Sequence, residues 1–384
     1  MVFLAAAVAF CGGLAVAYGM NTREAEGITP GRFSLPLERT SVFSSGVLSS
    51  RATTGSAPMT FYKSFGEWTC NGTFGGSQTL QLEIDTGSAD LWVMSTLQSS
   101  IQLSGHAYYD SSKSSTFEAM RGYTWKVGHS GGASGSVIGT ETVNIGGASV
   151  STVIELANNV STSLANDIGQ DGFVGLGRKS NGLNTVHTSG GTYSPQKTFF
   201  ENIQGSLENP IFALYLNHGA SSGSIDFGYI DDTKYSGSLV DATLVDSVYW
   251  EVNSTHSKVG STVYANTIGT TAIIDSGTTL IKVFNDTAAH LYGAIDGAQY
   301  TSNYGWIFPC TSSIPSFQML VGDYYAIVGA GQIKWRTVGN GNCRGGVQLQ
   351  SLSEDYMIFG SMILATQYMV FDPTNTRVQF GLLK

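Results

Sequence analysis

The stretch Leu80-Gln-Leu-Glu-Ile84-Asp85-Thr86-Gly87-Ser88-Ala-Asp-Leu-Trp92-Val93 decides how the rest of the chain is read. Strict apolar alternation up to Ile84 predicts a strand, and Asp85 falls at its end. A second copy, Ala272-Ile-Ile274-Asp275-Ser276-Gly277-Thr278-Thr279, again places an aspartate after a short apolar run. Gly87 and Gly277 let the backbone turn sharply and come close, and Thr86 and Ser276 beside them can hydrogen-bond the turn from below. Ser88 and Thr278 can each hold the outer oxygen of their own aspartate. One Asp-Thr-Gly alone is what an ordinary turn uses. Two copies in matching strand contexts, one in each half of the chain, call for a common reason.

Carboxylate chemistry supplies one. Two carboxyls within hydrogen-bond reach cannot both ionise, so one keeps a proton while the other stays charged. Water between them meets a base on one side and an acid on the other.

The pair, the flanking Leu91-Trp92-Val93 and the ending Ile358-Phe359-Gly360…Tyr368-Met-Val-Phe371-Asp372 resemble a pepsin-like, two-lobed aspartic endopeptidase from about Phe61 to Lys384. A dyad whose two pKa values are split far apart is a known property of that family, and the resemblance implies it here. The resemblance also implies an all-β, bilobal pepsin-like acid protease fold with a few short helices and pseudo-twofold related lobes. It implies Asp85 and Asp275 as the catalytic pair, with Thr86, Gly87, Ser88, Ser276, Gly277 and Thr278 supporting their turns. It further implies that Phe173-Val174-Gly175 and Ile358-Phe359-Gly360 thread beneath the two turns. The expected division is a signal peptide at 1–17, an activation segment at 18–58, an N-terminal lobe at 59–220 and a C-terminal lobe at 221–384, with the lobe boundary near Asn217–Gly223.

Composition agrees with this class. The chain has 384 residues, 42% of them hydrophobic, enough for two core-bearing units. Only 12% are charged, about half the usual share, and the 48 glycines favour short strands and turns. A net charge of −9 argues against nucleic acid or an anionic membrane surface as partner. Two helices are expected: one opened by Ser194-Pro195 and running through Ile203, the other capped by Asp286 and running through Ala288–Ile295.

Val2–Ala17 is a small-apolar run closing on Ala15-Val16-Ala17, which reads as a secretory signal with its cleavage site, although no Lys or Arg precedes it. Phe33-Ser-Leu-Pro-Leu-Glu-Arg39 resembles the start of this family's propeptides; a counterpart of the zymogen lysine that pairs with the catalytic carboxylates is missing. No later segment reads as a membrane span, so a soluble monomer in an extracellular or acidic vacuolar compartment is expected. The resemblance pairs Cys310 with Cys343 and leaves Cys70 as a buried free thiol. Sequons stand at Asn71, Asn159, Asn253 and Asn285. Neither a cofactor nor a metal is expected: the six His are scattered.

Two places depart from the family pattern. The flap, usually written Tyr-Gly-x-Gly-Ser, corresponds here to Tyr123-Thr-Trp125-Lys-Val127-Gly128-His-Ser-Gly-Gly132, with Val127 where the tyrosine would stand. Tyr123 or Trp125 substitutes for it, or nothing does; Trp92 resembles the residue that hydrogen-bonds that tyrosine, and Phe173 is a cleft candidate. Ser361 holds a place often taken by Asp, with opposing effects on the dyad's pKa values. Gly128–Gly132 also fits the serine-hydrolase elbow, but the following sequence is Gly-rich and strand-like rather than helical. The reading is endopeptidase action on extended peptides at acidic pH; the rival, motivated by the missing flap tyrosine, is a weak or silent relative that binds peptides or proteins.

Overall fold

The computed structural model describes residues 53–62, 66–128 and 131–384. The stretches expected to be a signal peptide and, as far as residue 52, an activation segment lie outside the described residues. Strands dominate and helices are few and short, as expected for an all-β chain rich in glycine. The first strands are β1 (Gly55–Tyr62), β2 (Glu67–Phe74), β3 (Gln78–Asp85) and β4 (Leu91–Val93). In β3 the alternation seen in the sequence puts Leu80, Leu82 and Ile84 into the core at 2% exposure or less.

A single large sheet runs through both halves. Strand Phe212–Asn217 pairs with Ser222–Phe227, which pairs with β1, and β1 pairs with β2. On the far side Phe212–Asn217 pairs with Gln367–Asp372, near the C-terminus. The stretch Asn217–Gly223, where a lobe boundary is expected, is therefore the turn of a hairpin whose two strands stay in one sheet. Aromatic rings fill the centre: Phe212 lies flat on Phe371 at 4.5 Å and meets Trp250 edge-on at 5.9 Å. The Trp250 indole N–H donates to the Leu176 carbonyl at 2.8 Å, tying the second half to the first.

Strand β1 begins at Gly55, inside the segment expected to be an activation peptide. Gly55, Ser56, Ala57 and Pro58 face Phe227, Asp226, Ile225 and Ser224, and the Ser56 hydroxyl donates to Asp226 at 2.6 Å. These residues pair along Ser222–Phe227, and the pairing of β1 with β2 begins after them, at Met59.

Each half carries the same crossing. Strand Gly172–Gly175 inserts between β3, to which it is parallel, and β4, to which it is antiparallel, so that Val174 sits opposite both Ile84 and Leu91. Strand Met357–Phe359 inserts in the same way between Thr271–Ile274 and Ile281–Val283. Both expected triplets thus run beneath their aspartate turns.

The helix expected from Ser194 forms as Phe199–Ile203, and its cap is Thr198. Thr198 accepts from the Glu201 N–H while Glu201 reaches back to the Thr198 N–H, a reciprocal box that Ser194 cannot make. The second helix spans Asn285–Tyr292 with Phe284 at its cap position. Asp286 does not cap it, because its carboxylate accepts from the backbone N–H groups of Thr267 at 2.6 Å and Ile268 at 3.3 Å on a neighbouring segment.

Cys310 and Cys343 form a disulfide, and Cys70 is free and buried, its thiol pushed up to about 12 by removal from water. Replacing Cys310 and Cys343 together by alanine should lower the unfolding free energy by about 3–4 kcal/mol through loop entropy. Guanidinium unfolding of the oxidised protein and the double variant measures the difference.

Candidate active site

Asp85 ends β3 and Asp275 follows Thr271–Ile274, so each carboxyl leaves a strand end at the same kind of turn. The turns pack face to face. A β-carbon added to Gly87 would stand 2.6 Å from the Asp275 carboxyl carbon, and one added to Gly277 would stand 2.4 Å from an Asp85 oxygen. Each glycine is therefore required by the opposite carboxylate, and the two acids lie close enough for the charge of Asp85 to raise Asp275. Residues distant along the chain share one small space.

Beneath them the turns are laced together. Thr86 Oγ1 donates to the Ile274 carbonyl at 2.8 Å and accepts from the Ser276 N–H at 3.0 Å. Ser276 Oγ donates to the Ile84 carbonyl at 2.6 Å and accepts from the Thr86 N–H at 3.1 Å. Each hydroxyl is saturated by the other turn, and both residues are 1% exposed or less. Above, each aspartate is held by its own turn. Asp85 accepts from Gly87 N–H at 2.8 Å and from the Ser88 hydroxyl at 2.5 Å. Asp275 accepts from Gly277 N–H at 2.9 Å, Thr278 N–H at 3.2 Å and the Thr278 hydroxyl at 2.6 Å.

Removal from water and then the adjoining Asp85 charge lift the Asp275 carboxyl to about 7, against the bonds from Thr278 and Gly277 that favour its ionised form. An acid that keeps its proton through the acidic range, set against a second carboxyl, is what activation of a water molecule by a paired base and acid requires.

The hairpin Tyr123–Val127/Ala133–Gly135 stands where a flap is expected, with its tip outside the described residues. A strand, not a helix, follows Gly128–Gly132, so the serine-hydrolase elbow has no structural context. Trp125 and Val127 are buried in one apolar cluster with Trp92 and Phe173. Trp125 stacks on Trp92 at 6.2 Å, and Trp92 stacks on Phe173 at 5.2 Å. Tyr123 is only half-buried and pairs with Thr188 at the hairpin's base, while Gly128 faces open space. Of the two candidate replacements for the flap tyrosine, Trp125 lies against Trp92. It supplies no hydrogen bond there: among the described residues the Trp92 Nε1 has no acceptor. Ser361 is buried behind the second turn, its N–H donating to the Thr278 carbonyl at 2.7 Å.

A family model described as eukaryotic aspartyl protease matches residues 72–383. The chain belongs to the eukaryotic aspartyl protease family. Aspergillopepsin-1 of Aspergillus oryzae and penicillopepsin-1 of Penicillium rubens are each 38% identical to it, over 80% of this chain and 76% of theirs. The aspartic protease pepA of Arthroderma gypseum is 35% identical over 86% of this chain and 84% of its own. The protein is an aspartic endopeptidase.

Sequence reasoning missed a group of acids beside the dyad. Glu83 lies on β3 two residues before Asp85, hence on the same face, and is 1% exposed, with Oε2 unpartnered among the described residues. Burial, and then the charges of Glu67, Asp85, Asp167 and Asp275, hold its carboxyl well above the usual range. Glu67 is raised to about 9 by burial and by its hydrogen bond and charge contact with Asp167. Glu155, on the far side of Trp92, is likewise raised by burial and the nearby Asp90. The alternation Gln81, Glu83, Asp85 was a legible signal for the first of these.

These protons set a sign for stability against pH. Acids with raised folded-state pKa bind protons the unfolded chain has released, so stability falls as pH climbs from about 4.5 toward about 9 for Glu67. For Asp246 and Asp286 burial works upward, but backbone N–H bonds outweigh it and hold both below 3.8, so their contribution is lost as pH falls under that value. The melting temperature should therefore peak near pH 4 and decline through neutrality. Glu67→Gln should raise it at pH 7.5 and leave it unchanged at pH 3.5, as scanning calorimetry across the range would show.

Proposed function

We propose that this protein cleaves internal peptide bonds at acidic pH through Asp85 and Asp275, which hold and activate one water molecule. The observation that carries the reading is the reciprocal packing of the two turns, each glycine against the other turn's carboxylate. An extended substrate lies as a strand across the cleft. The ionised carboxylate takes the proton of the water as its oxygen attacks the scissile carbonyl carbon, while the protonated carboxyl gives its proton to the carbonyl oxygen. A gem-diol forms without a covalent enzyme intermediate. Its collapse breaks the C–N bond as the nitrogen receives a proton, and the products are a carboxylic acid and an amine. Thr86 and Ser276 hold the turns at the right separation, and Ser88 and Thr278 fix the outer oxygens.

Trp92, Phe173, Trp125 and Val127 form a buried apolar cluster that backs the hairpin beside the cleft. With Val127 where the flap tyrosine would stand, transition-state positioning is weaker, and slower turnover or altered selectivity follows. The intact pair of turns favours this reading over a silent peptide binder. The leader and the acidic surface support export to an extracellular or acidic compartment as a monomer, and no helix among the described residues is long and apolar enough to cross a membrane. The activation segment ends before Gly55, since cleavage after Pro58 would strip four residues from a strand paired with Ser222–Phe227. The exposed Asn71, Asn159, Asn253 and Asn285 are available to carry glycans.

Asp85→Asn and Asp275→Asn should each lower kcat/KM at least about a thousandfold on an internally quenched peptide, given the scale of acid–base contributions. A statine-type inhibitor should abolish wild-type cleavage. The rate should fall as pH rises through about 7, where Asp275 surrenders its proton. Full cleavage by either variant would remove the dyad from the mechanism.

A further inference from the structure

The hairpin Tyr123–Val127/Ala133–Gly135 is not a free pair of strands. It forms the middle of a four-stranded sheet, flanked by Asn159–Val160 on one edge and His187–Thr188 on the other. His187 faces Thr124 and Thr188 faces Tyr123. The next residue, Ser189, donates its N–H to the Gly122 carbonyl at 2.7 Å, which extends the pairing past the strand's end.

The segment doing this is itself tied at both ends. Before it, Thr185 donates its N–H and its hydroxyl to the Asp90 carboxylate at 2.8 and 2.9 Å, and Asn184 Nδ2 reaches the same oxygen at 3.1 Å. Asp90 lies just past the first catalytic turn. After it, the chain folds back so that Tyr193 pairs with His187, with their rings 5.3 Å apart. The Tyr193 hydroxyl accepts from Gly182 N–H at 2.8 Å and donates to the Ser180 carbonyl at 3.3 Å. Within the turn, Thr188 N–H donates to Thr192 and Gly191 N–H to Thr188, both at 2.8 Å.

Side chains between hairpin and cleft wall give little register. Trp125 on Trp92 is a stacked contact, and the Nε1 of each ring is buried with no acceptor among the described residues. Stacked rings hold a distance but tolerate sliding, whereas paired backbone fixes register. A cavity of about 760 Å³, lined by Thr124, Lys126, Leu183, His187 and Tyr193 among others, opens between the hairpin and residues 182–193. Side-chain packing does not fill that space; apart from the Lys126 N–H bond to the Thr185 hydroxyl at 3.2 Å, the backbone bonds at 187–189 carry the brace.

We infer that the strap Thr185–Ser194 is a positioning element for catalysis, holding the hairpin in register with the first catalytic turn by main-chain pairing, with Asp90 as its anchor. The inference rests on the endopeptidase reading. It assigns to backbone geometry a task for which this chain lacks the tyrosine hydroxyl.

Ser189→Pro removes the N–H that donates to Gly122, and Ser189→Ala keeps it. Ser189 is exposed, so neither change touches the core. In Ser189→Pro, kcat/KM for a peptide long enough to span the cleft should fall roughly tenfold, and affinity for a statine-type inhibitor should fall in parallel. Amide exchange at 123–127 and 133–135 should quicken, and Ser189→Ala should restore all three to wild-type values. If Ser189→Pro lowers the melting temperature substantially, Tyr193→Phe, which loses the bonds to Gly182 and Ser180, takes its place in the same measurements. Exchange in the hairpin equal to that of Ser189→Ala, with kcat/KM within a factor of about two, would overturn the inference. Should the wild-type protein cleave no peptide, the endopeptidase reading fails, while the exchange comparison still decides whether the strap holds the hairpin.

Discussion

Everything at the centre of this molecule depends on four hydrogen bonds exchanged between Thr86 and Ser276 and the backbone of the opposite turn. Two like charges brought together repel, and burying them costs more. The lacing beneath sets their separation without touching the reactive oxygens, because each side-chain hydroxyl both donates and accepts across the gap. A methyl in place of either hydroxyl would leave two buried backbone groups of the opposite turn unpaired, at about 1–3 kcal/mol for each. The position of the dyad is thus a property of the pair of turns and belongs to neither alone.

Electrostatics around the dyad extends further than the two aspartates. Glu83, Glu67 and Asp167 add acids on the N-terminal side, and among the described residues no Lys or Arg forms an ion pair with any of them. A charge-poor, acid-rich interior can exist where protons are plentiful, since neutral carboxyls are far easier to bury than carboxylates.

How much of this was legible follows from how local each feature is. The two aspartate turns were readable because each is written in a handful of contiguous residues, and so were the two threading triplets. The first helix was placed correctly but capped wrongly: Ser194-Pro195 looks like a start, yet only Thr198 has a Glu three residues on. Asp286 reads as a cap in the sequence, yet its competing donors, Thr267 and Ile268, belong to another segment. Glu67 and Asp167 meet only through the fold, and nothing near either announces the other. In the hairpin, alternation puts Tyr123, Trp125 and Val127 on one face, but which of them meets Trp92 depends on the register against His187–Thr188. The extent of β1 was likewise hidden, because its partner Ser222–Phe227 lies far down the chain.

The continuity of that sheet has a mechanical consequence. Strand β1 and Ser222–Phe227 are zipped along their length, and Phe212–Asn217 joins them to the C-terminal strands, so the halves are fastened by a ladder rather than by a covalent tether alone. A break in the peptide at the tight loop between Asn217 and Ser222 would not set the pieces adrift. Rigid-body hinging about that loop is equally disfavoured, since it would have to shear the rungs on either side. Whatever breathing the cleft needs must come from elements outside the ladder.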